Sequence, residues 1–161
     1  MLAGLSAAAL EQAYRRIALV PGARTLVLTM RAHGAFAALI SGGFRFFSER
    51  VRAAAGFDYD EANLLEIADG RLTGRVVPPI INRDGKLNAL RRLSAERGTP
   101  LEATLAVGDG ANDLAMVRAA GLGVAFRGKP ILAAAARARV DHGDLTALLY
   151  FQGYSADEFA A

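Results

Sequence analysis

Two largely apolar runs in this chain each end in a glycine-containing polar loop, and a helical pattern follows each loop. The first run, residues 35–40, is entirely apolar, and the second, residues 103–107, is apolar except for Thr104. An unbroken apolar run of this length is typical of a strand buried on both faces of a parallel sheet. Such strands, alternating with helices, predict an α/β fold with a mostly parallel sheet, right-handed crossovers and helices on both faces.

The spacing of apolar residues, together with glycine and proline, locates the other elements. Asp69-Gly70 between the apolar segments 63–67 and 72–77 predicts a β-hairpin. The remaining pattern predicts helices at residues 6–19, 23–32, 44–55, 83–97, 114–120, 130–138 and 145–151, and short strands at 123–126 and around Val140.

The composition excludes several kinds of chemistry. The 161 residues include no cysteine and two histidines, which excludes thiolate metal sites and cysteine nucleophiles and argues against a multi-histidine zinc site. The net charge is +3, and the basic residues are scattered along the chain, so we expect no nucleic-acid partner. No apolar run approaches the roughly 18–20 residues of a membrane span, and no leader is evident, so we expect a cytoplasmic protein without membrane contact.

The loop after the second apolar run carries the strongest chemical signal. Residues 108–113 read Gly-Asp-Gly-Ala-Asn-Asp. Asp109 leaves the strand end and Asp113 starts the next helix, so two carboxylates and the Asn112 amide surround one point. Oxygen ligands of this kind suit Mg²⁺, which predicts a magnesium site at Asp109 and Asp113. The alternative is an ordinary helix cap, but a cap needs only one such residue.

Two further signals are weaker on their own. Ser41-Gly42-Gly43, which we call the phosphate cradle, places a hydroxyl and backbone N–H groups between a strand and a helix start, an arrangement that can hold phosphate. A plain tight turn has the same composition. Lys86 is one of only two lysines among 19 basic residues, which suggests a specific need for a compact ammonium. A solvated surface lysine is the alternative.

In their order along the chain, these segments resemble the second, third and fourth motifs of the haloacid dehalogenase (HAD) superfamily, whose fold is Rossmann-like. With the hairpin at residues 66–74 and the segment Asp-His-Gly-Asp-Leu at 141–145, nearly the whole chain resembles the bacterial phosphoserine phosphatases. The resemblance implies a partial helical cap at residues 1–20 and an α/β core at 21–161. It also implies Mg²⁺-dependent hydrolysis of a small phosphomonoester, phosphoserine, in serine biosynthesis, through an aspartyl-phosphate intermediate.

The same resemblance implies a role for each candidate residue. Ser41 and the Gly42 N–H would bind the phosphoryl group, and Asn112 would contact the substrate. Lys86 would be the catalytic cation that offsets charge on the phosphoryl oxygens and on the nucleophile. Of the two loop aspartates, the first would ligate Mg²⁺ and the second would act on the ion directly or through water.

The first motif of the family, Asp-x-Asp-x-Thr or Ser, has no counterpart within residues 1–161. In the family its first aspartate is the nucleophile and its second is the general acid and base. The one Asp-x-Asp here, at residues 58–60, has no buried strand before it and no hydroxyl after it, so we expect a surface loop there. The sheet would then lack its usual central first strand. The strands at 35–40 and 103–107 would pair directly, leave a gap, or accept a strand from elsewhere.

Three functions remain open from the sequence. The first is a phosphomonoester hydrolase that is either truncated here after its first motif or works with a separate N-terminal fragment or strand donor, as one part of a split phosphatase. Alternatively, it is a non-catalytic module that binds phosphate or Mg²⁺. A basic nucleic-acid binder is the third, and it would require affinity that falls steeply with salt. On the first hypothesis, we expect this polypeptide to be inactive alone. The oligomeric state stays open.

Overall fold

The computed structural model of the chain describes residues 2–160. These residues form two compact units. One contains the chain up to Ile80 together with the chain from Leu148 onward, and the other spans Ile81–Ala147. Each unit contains one three-stranded sheet with helices around it, which confirms the predicted α/β class. The predicted boundary between a cap and a core at residue 20 stays a prediction.

The first unit is built around a mixed sheet. Strand β1 pairs in parallel with β2, and β2 pairs antiparallel with β3 through the predicted hairpin. Asp69 and Gly70 both have positive φ, 49° and 71°, as the favoured two-residue hairpin turn requires. The elements are α1 (Ala8–Tyr14), α2 (Ala23–Ala32), β1 (Ala38–Phe44), α3 (Arg45–Ala55), β2 (Tyr59–Ala68) and β3 (Arg71–Val77).

The second unit contains an entirely parallel sheet in the order β4-β5-β6. Its core packs α5 and α6 against the central strand through Leu114, Val117, Ala125 and Leu132. The elements are α4 (Arg83–Glu96), β4 (Leu105–Gly108), α5 (Leu114–Ala119), β5 (Leu122–Phe126), α6 (Pro130–Ala133) and β6 (Ala138–Val140), and α7 (Ala147–Tyr150) follows at the junction with the first unit.

Several predicted boundaries are wrong. The first helix ends at Tyr14 rather than at residue 19, and α6 ends at Ala133 because β6 begins only a few residues later. The first strand lies three to four residues later than the predicted range 35–40, and it is half-buried rather than buried on both faces. β1 is an outermost strand of its sheet, so only one of its two edges is paired, with β2.

The two apolar strands belong to different sheets. β1 is an outermost strand of the sheet in the first unit, and β4 is an outermost strand of the sheet in the second. The three outcomes expected for these strands stay predictions.

Residues 58–60 are not the expected surface loop. They lead into β2, which begins at its middle residue and pairs in parallel with β1. The Asp60 side chain is 8% exposed and lies 3.0 Å from the Arg52 guanidinium. Asp58 is paired as well, with Arg31 at 2.7 Å. Both carboxylates tie the start of β2 to neighbouring helices, which gives them a structural role.

In the part of the chain that the structure describes, no helix combines the length and the apolar character that crossing a membrane requires.

Candidate functional site

A buried ion pair joins two of the predicted residues of the second unit. Lys86 lies on the first turns of α4, and Asp113 directly precedes α5. The Lys86 Nζ atom lies 2.5 Å from Asp113 Oδ1, and the two side chains are 10% and 4% exposed. Because a lysine is almost never buried without a partner, Asp113 accounts for its burial. Lys86 is therefore not the solvated surface lysine of the alternative interpretation.

The second carboxylate oxygen of Asp113 organises the loop before it. Asp113 Oδ2 accepts the backbone N–H groups of Asp109 and Gly110, each at 3.1 Å. The loop is thus folded around one carboxylate, with both oxygens engaged. Gly108 packs against the same side chain, because a Cβ atom added at this glycine would lie 2.3 Å from Asp113 Cβ.

This close contact makes Gly108→Ala informative. We expect the substitution to displace the Asp113 side chain and to destabilise the chain by about 2–3 kcal/mol, measured by urea denaturation. Gly98→Ala is the matched control, because its added methyl meets open space although φ is +63°. The control should lose only about 1 kcal/mol. Equal losses in the two variants would contradict the close packing at Gly108.

The other two predicted residues of this loop are accessible. Asp109 and Asn112 are exposed. Within residues 2–160 the Asp109 carboxylate has no hydrogen-bond or ion-pair partner, while its backbone carbonyl accepts the N–H of Lys129 at 2.8 Å. The main chain of Asp109 is therefore held on both sides, and its carboxylate is left for a ligand.

The phosphate cradle lies in the first unit and is not the plain tight turn of the alternative interpretation. Strand β1 continues through residues 41–44 with a bulge, because Ser41 pairs with Ala62 and Phe44 already pairs with Asn63. The two glycines between them have no counterpart on β2. A bulge of this kind turns the backbone locally away from regular pairing.

The serine of the cradle holds one of its own peptide groups. Ser41 Oγ accepts the Gly43 N–H at 3.0 Å. The hydroxyl keeps its proton, so it can still donate to a ligand. Gly42 and Gly43 are exposed, and α3 begins only two residues after the second glycine. The sequence predicted an anion site from two glycines followed by a helix start, and the structure contains both, with the glycines exposed.

Residues 1–118 match the family described as haloacid dehalogenase-like hydrolase. The chain belongs to this family. Several phosphoserine phosphatases are among its curated relatives, which confirms the resemblance found in the motifs.

One such relative is the phosphoserine phosphatase of Streptococcus thermophilus, 42% identical over 144 residues, which cover 89% of this chain and 67% of that protein. The enzyme of Streptomyces coelicolor is 45% identical over all 161 residues, but the chain spans only 39% of its length. A crystal structure of phosphoserine phosphatase in the apo form superposes with a TM-score of 0.89 at 36% identity, covering 93% of this chain and 75% of that one.

The donor set of this HAD-like loop fits Mg²⁺ held by few protein ligands. Among residues 2–160 no group of three or more histidine and carboxylate side chains could hold a metal ion. The charge of Asp113 is matched by Lys86, which leaves Asp109 as the carboxylate free to bind a cation directly. Mg²⁺ commonly binds through one or two carboxylates and keeps several waters. Asp113, with both oxygens engaged, is better placed to act through such a water.

The structure brings some of the predicted residues together. Lys86 contacts Asp113 directly, and Asp109 and Asn112 lie in the same loop of the second unit. The cradle belongs to the first unit. The sequence interpretation missed Asn63, which contacts the cradle. An asparagine inside a strand, where this residue is disfavoured, was the available signal.

Proposed function

We propose that residues 1–161 carry the phosphate- and Mg²⁺-binding part of a cytoplasmic phosphoserine phosphatase, which converts O-phospho-L-serine and water to L-serine and phosphate in serine biosynthesis. One observation carries the proposal: Lys86 on α4 pairs in the interior with Asp113, the last residue of a loop whose Asp109 carboxylate is exposed. The relatives named above support the substrate, because they are phosphoserine phosphatases.

Each residue has a definite task in this proposal. Lys86 is a cation held in place before the reaction, so it can stabilise negative charge on the phosphoryl oxygens without first having to move. The Ser41 hydroxyl donates to the phosphoryl group beside the Gly42 N–H, and the Asn112 amide contacts the substrate. When bound at Asp109, Mg²⁺ would neutralise further charge on the phosphoryl oxygens.

Residues 1–161 do not supply the attacking carboxylate of this reaction. They contain no Asp-x-Asp-x-Thr or Ser motif. The carboxylates of Asp58 and Asp60 are engaged with arginines and the backbone. We therefore propose that turnover requires a strand that delivers an attacking aspartate. If no such strand restores turnover, the remaining function is that of a non-catalytic module for phosphate and Mg²⁺.

The metal part of the proposal is tested by calorimetric titration. We expect residues 1–161 to bind Mg²⁺ weakly, because one free carboxylate is available, and Asp109→Asn to weaken binding by about tenfold or more. Asp84→Asn is the control, because it removes the same charge from an exposed aspartate in the first turn of α4. Tight binding by the unaltered chain, or equal weakening by both variants, would contradict Asp109 as the ligand.

A further inference from the structure

One buried amide side chain of the first unit has no part in the chemistry described so far. Asn63 lies on β2 and is 5% exposed. Its Nδ2 atom donates to the carbonyl oxygen of Gly42 at 2.8 Å. Burying an amide costs free energy unless its polar atoms are hydrogen-bonded, and asparagine is depleted in strands. Its presence here points to a specific need.

That need lies in the bulge of β1. Gly42 and Gly43 have no counterpart on β2, so the backbone ladder supplies no donor for the Gly42 carbonyl. The Asn63 side chain takes the place of that donor. Glycines have the greatest backbone freedom of all residues, so a two-glycine bulge needs an external contact to keep one conformation.

The two hydrogen bonds of the cradle act on a single peptide group. The carbonyl of Gly42 and the N–H of Gly43 belong to the same planar peptide. Asn63 holds its oxygen at 2.8 Å, and Ser41 Oγ accepts its N–H at 3.0 Å. Because the peptide is rigid, the position of its oxygen determines the direction of its N–H. That direction in turn determines where the serine hydroxyl lies.

We infer that Asn63 is a positioning residue of the phosphate cradle, which orients the Ser41 hydroxyl through the Gly42–Gly43 peptide. The inference rests on the proposed function of Ser41 as a phosphate ligand. The amide is required because a carbonyl only accepts hydrogen bonds, so its partner must donate. A carboxylate of the same shape at this position could only accept.

Asn63→Asp in residues 1–161 tests the inference with two readouts. We expect the Gly43 amide to exchange with solvent about tenfold faster by NMR, and inorganic phosphate to bind about tenfold more weakly by calorimetry. Thr29→Val is the matched control in the same unit, because Thr29 is fully buried and its hydroxyl accepts the Ala160 N–H at 2.8 Å. It removes one buried hydrogen bond without touching the cradle and should change neither readout.

The outcomes separate this inference from the proposed function. Unchanged Gly43 exchange in Asn63→Asp would overturn the inference, as would an equal loss of phosphate affinity in Thr29→Val, which would indicate general destabilisation. Ser41→Ala tests the cradle itself. If phosphate binds equally well to Ser41→Ala, while Asn63→Asp still accelerates Gly43 exchange, the proposed role of Ser41 fails and the assignment of Asn63 to the bulge is supported.

Discussion

Lys86→Met is expected to destabilise the chain by about 3–5 kcal/mol, because it leaves the buried Asp113 carboxylate without its counter-ion. The two side chains are 10% and 4% exposed, so water cannot replace the ammonium without opening the loop. Domains of this size are stable by only about 5–15 kcal/mol, so the loss is a large fraction of the total. Urea denaturation at neutral pH measures it.

Two further variants isolate the charge effect. Adding Asp113→Asn to Lys86→Met should recover part of the loss, because the neutral amide oxygen can still accept backbone N–H groups and no buried charge remains. Arg45→Met removes an exposed i,i+4 pair with Glu49, 2.6 Å apart, and should cost less than about 1 kcal/mol. A Lys86→Met loss as small as that of Arg45→Met would contradict the buried pair.

The sequence predicted elements well where glycine and proline mark both ends. Helix α2 has the predicted bounds, because Pro21-Gly22 precedes it and a His-Gly pair at residues 33–34 follows it. The hairpin was equally clear from Asp69-Gly70. Strand β1 was placed too early, because its two glycines are typical of a turn although here they form a bulge within the strand.

The candidate site was predictable in its residue types and less so in its contacts. The loop at residues 108–113 predicted a metal site from its carboxylates alone. That Lys86 neutralises Asp113 depends on packing between residues 27 positions apart, which no local pattern encodes. The requirement for Gly108 also appears only once the Asp113 side chain is in place.

Residues 1–161 by themselves are expected to release no phosphate from O-phospho-L-serine, and a peptide bearing an Asp-x-Asp-x-Thr strand is expected to restore Mg²⁺-dependent turnover. The first aspartate of the peptide would attack phosphorus as the bond to the serine oxygen breaks, and the second would give that oxygen its proton. Water would then attack phosphorus as the bond to the first aspartate breaks, which releases phosphate, and the second aspartate would take the proton of that water. Loss of a nucleophile typically costs about 10⁴–10⁶ in rate, so restoration is readily measured.

Three controls tie any restored activity to the proposed groups. A peptide with asparagine for its first aspartate should bind and raise the melting temperature by mass action without restoring turnover. Asp109→Asn in the chain should abolish the Mg²⁺ dependence together with most of the rate, and Lys86→Met should be inactive. Both losses are measured with the same peptide. A variant that fails to bind the peptide shows no rise in melting temperature, whereas a variant that binds it without catalysing the reaction shows the rise but no turnover.

The contrary result would have a definite meaning. If residues 1–161 alone hydrolyse phosphoserine at an ordinary enzyme rate of about 1–10³ s⁻¹, an aspartate within the chain must attack the phosphorus. Asp58 and Asp60 would be tested first, although each is held by an arginine, at 2.7 and 3.0 Å. An attacking carboxylate must be free to reach the phosphorus in line with the leaving oxygen. Activity that survives Asp58→Asn and Asp60→Asn would exclude both, and the exposed aspartates, Asp109 first, would be tested next.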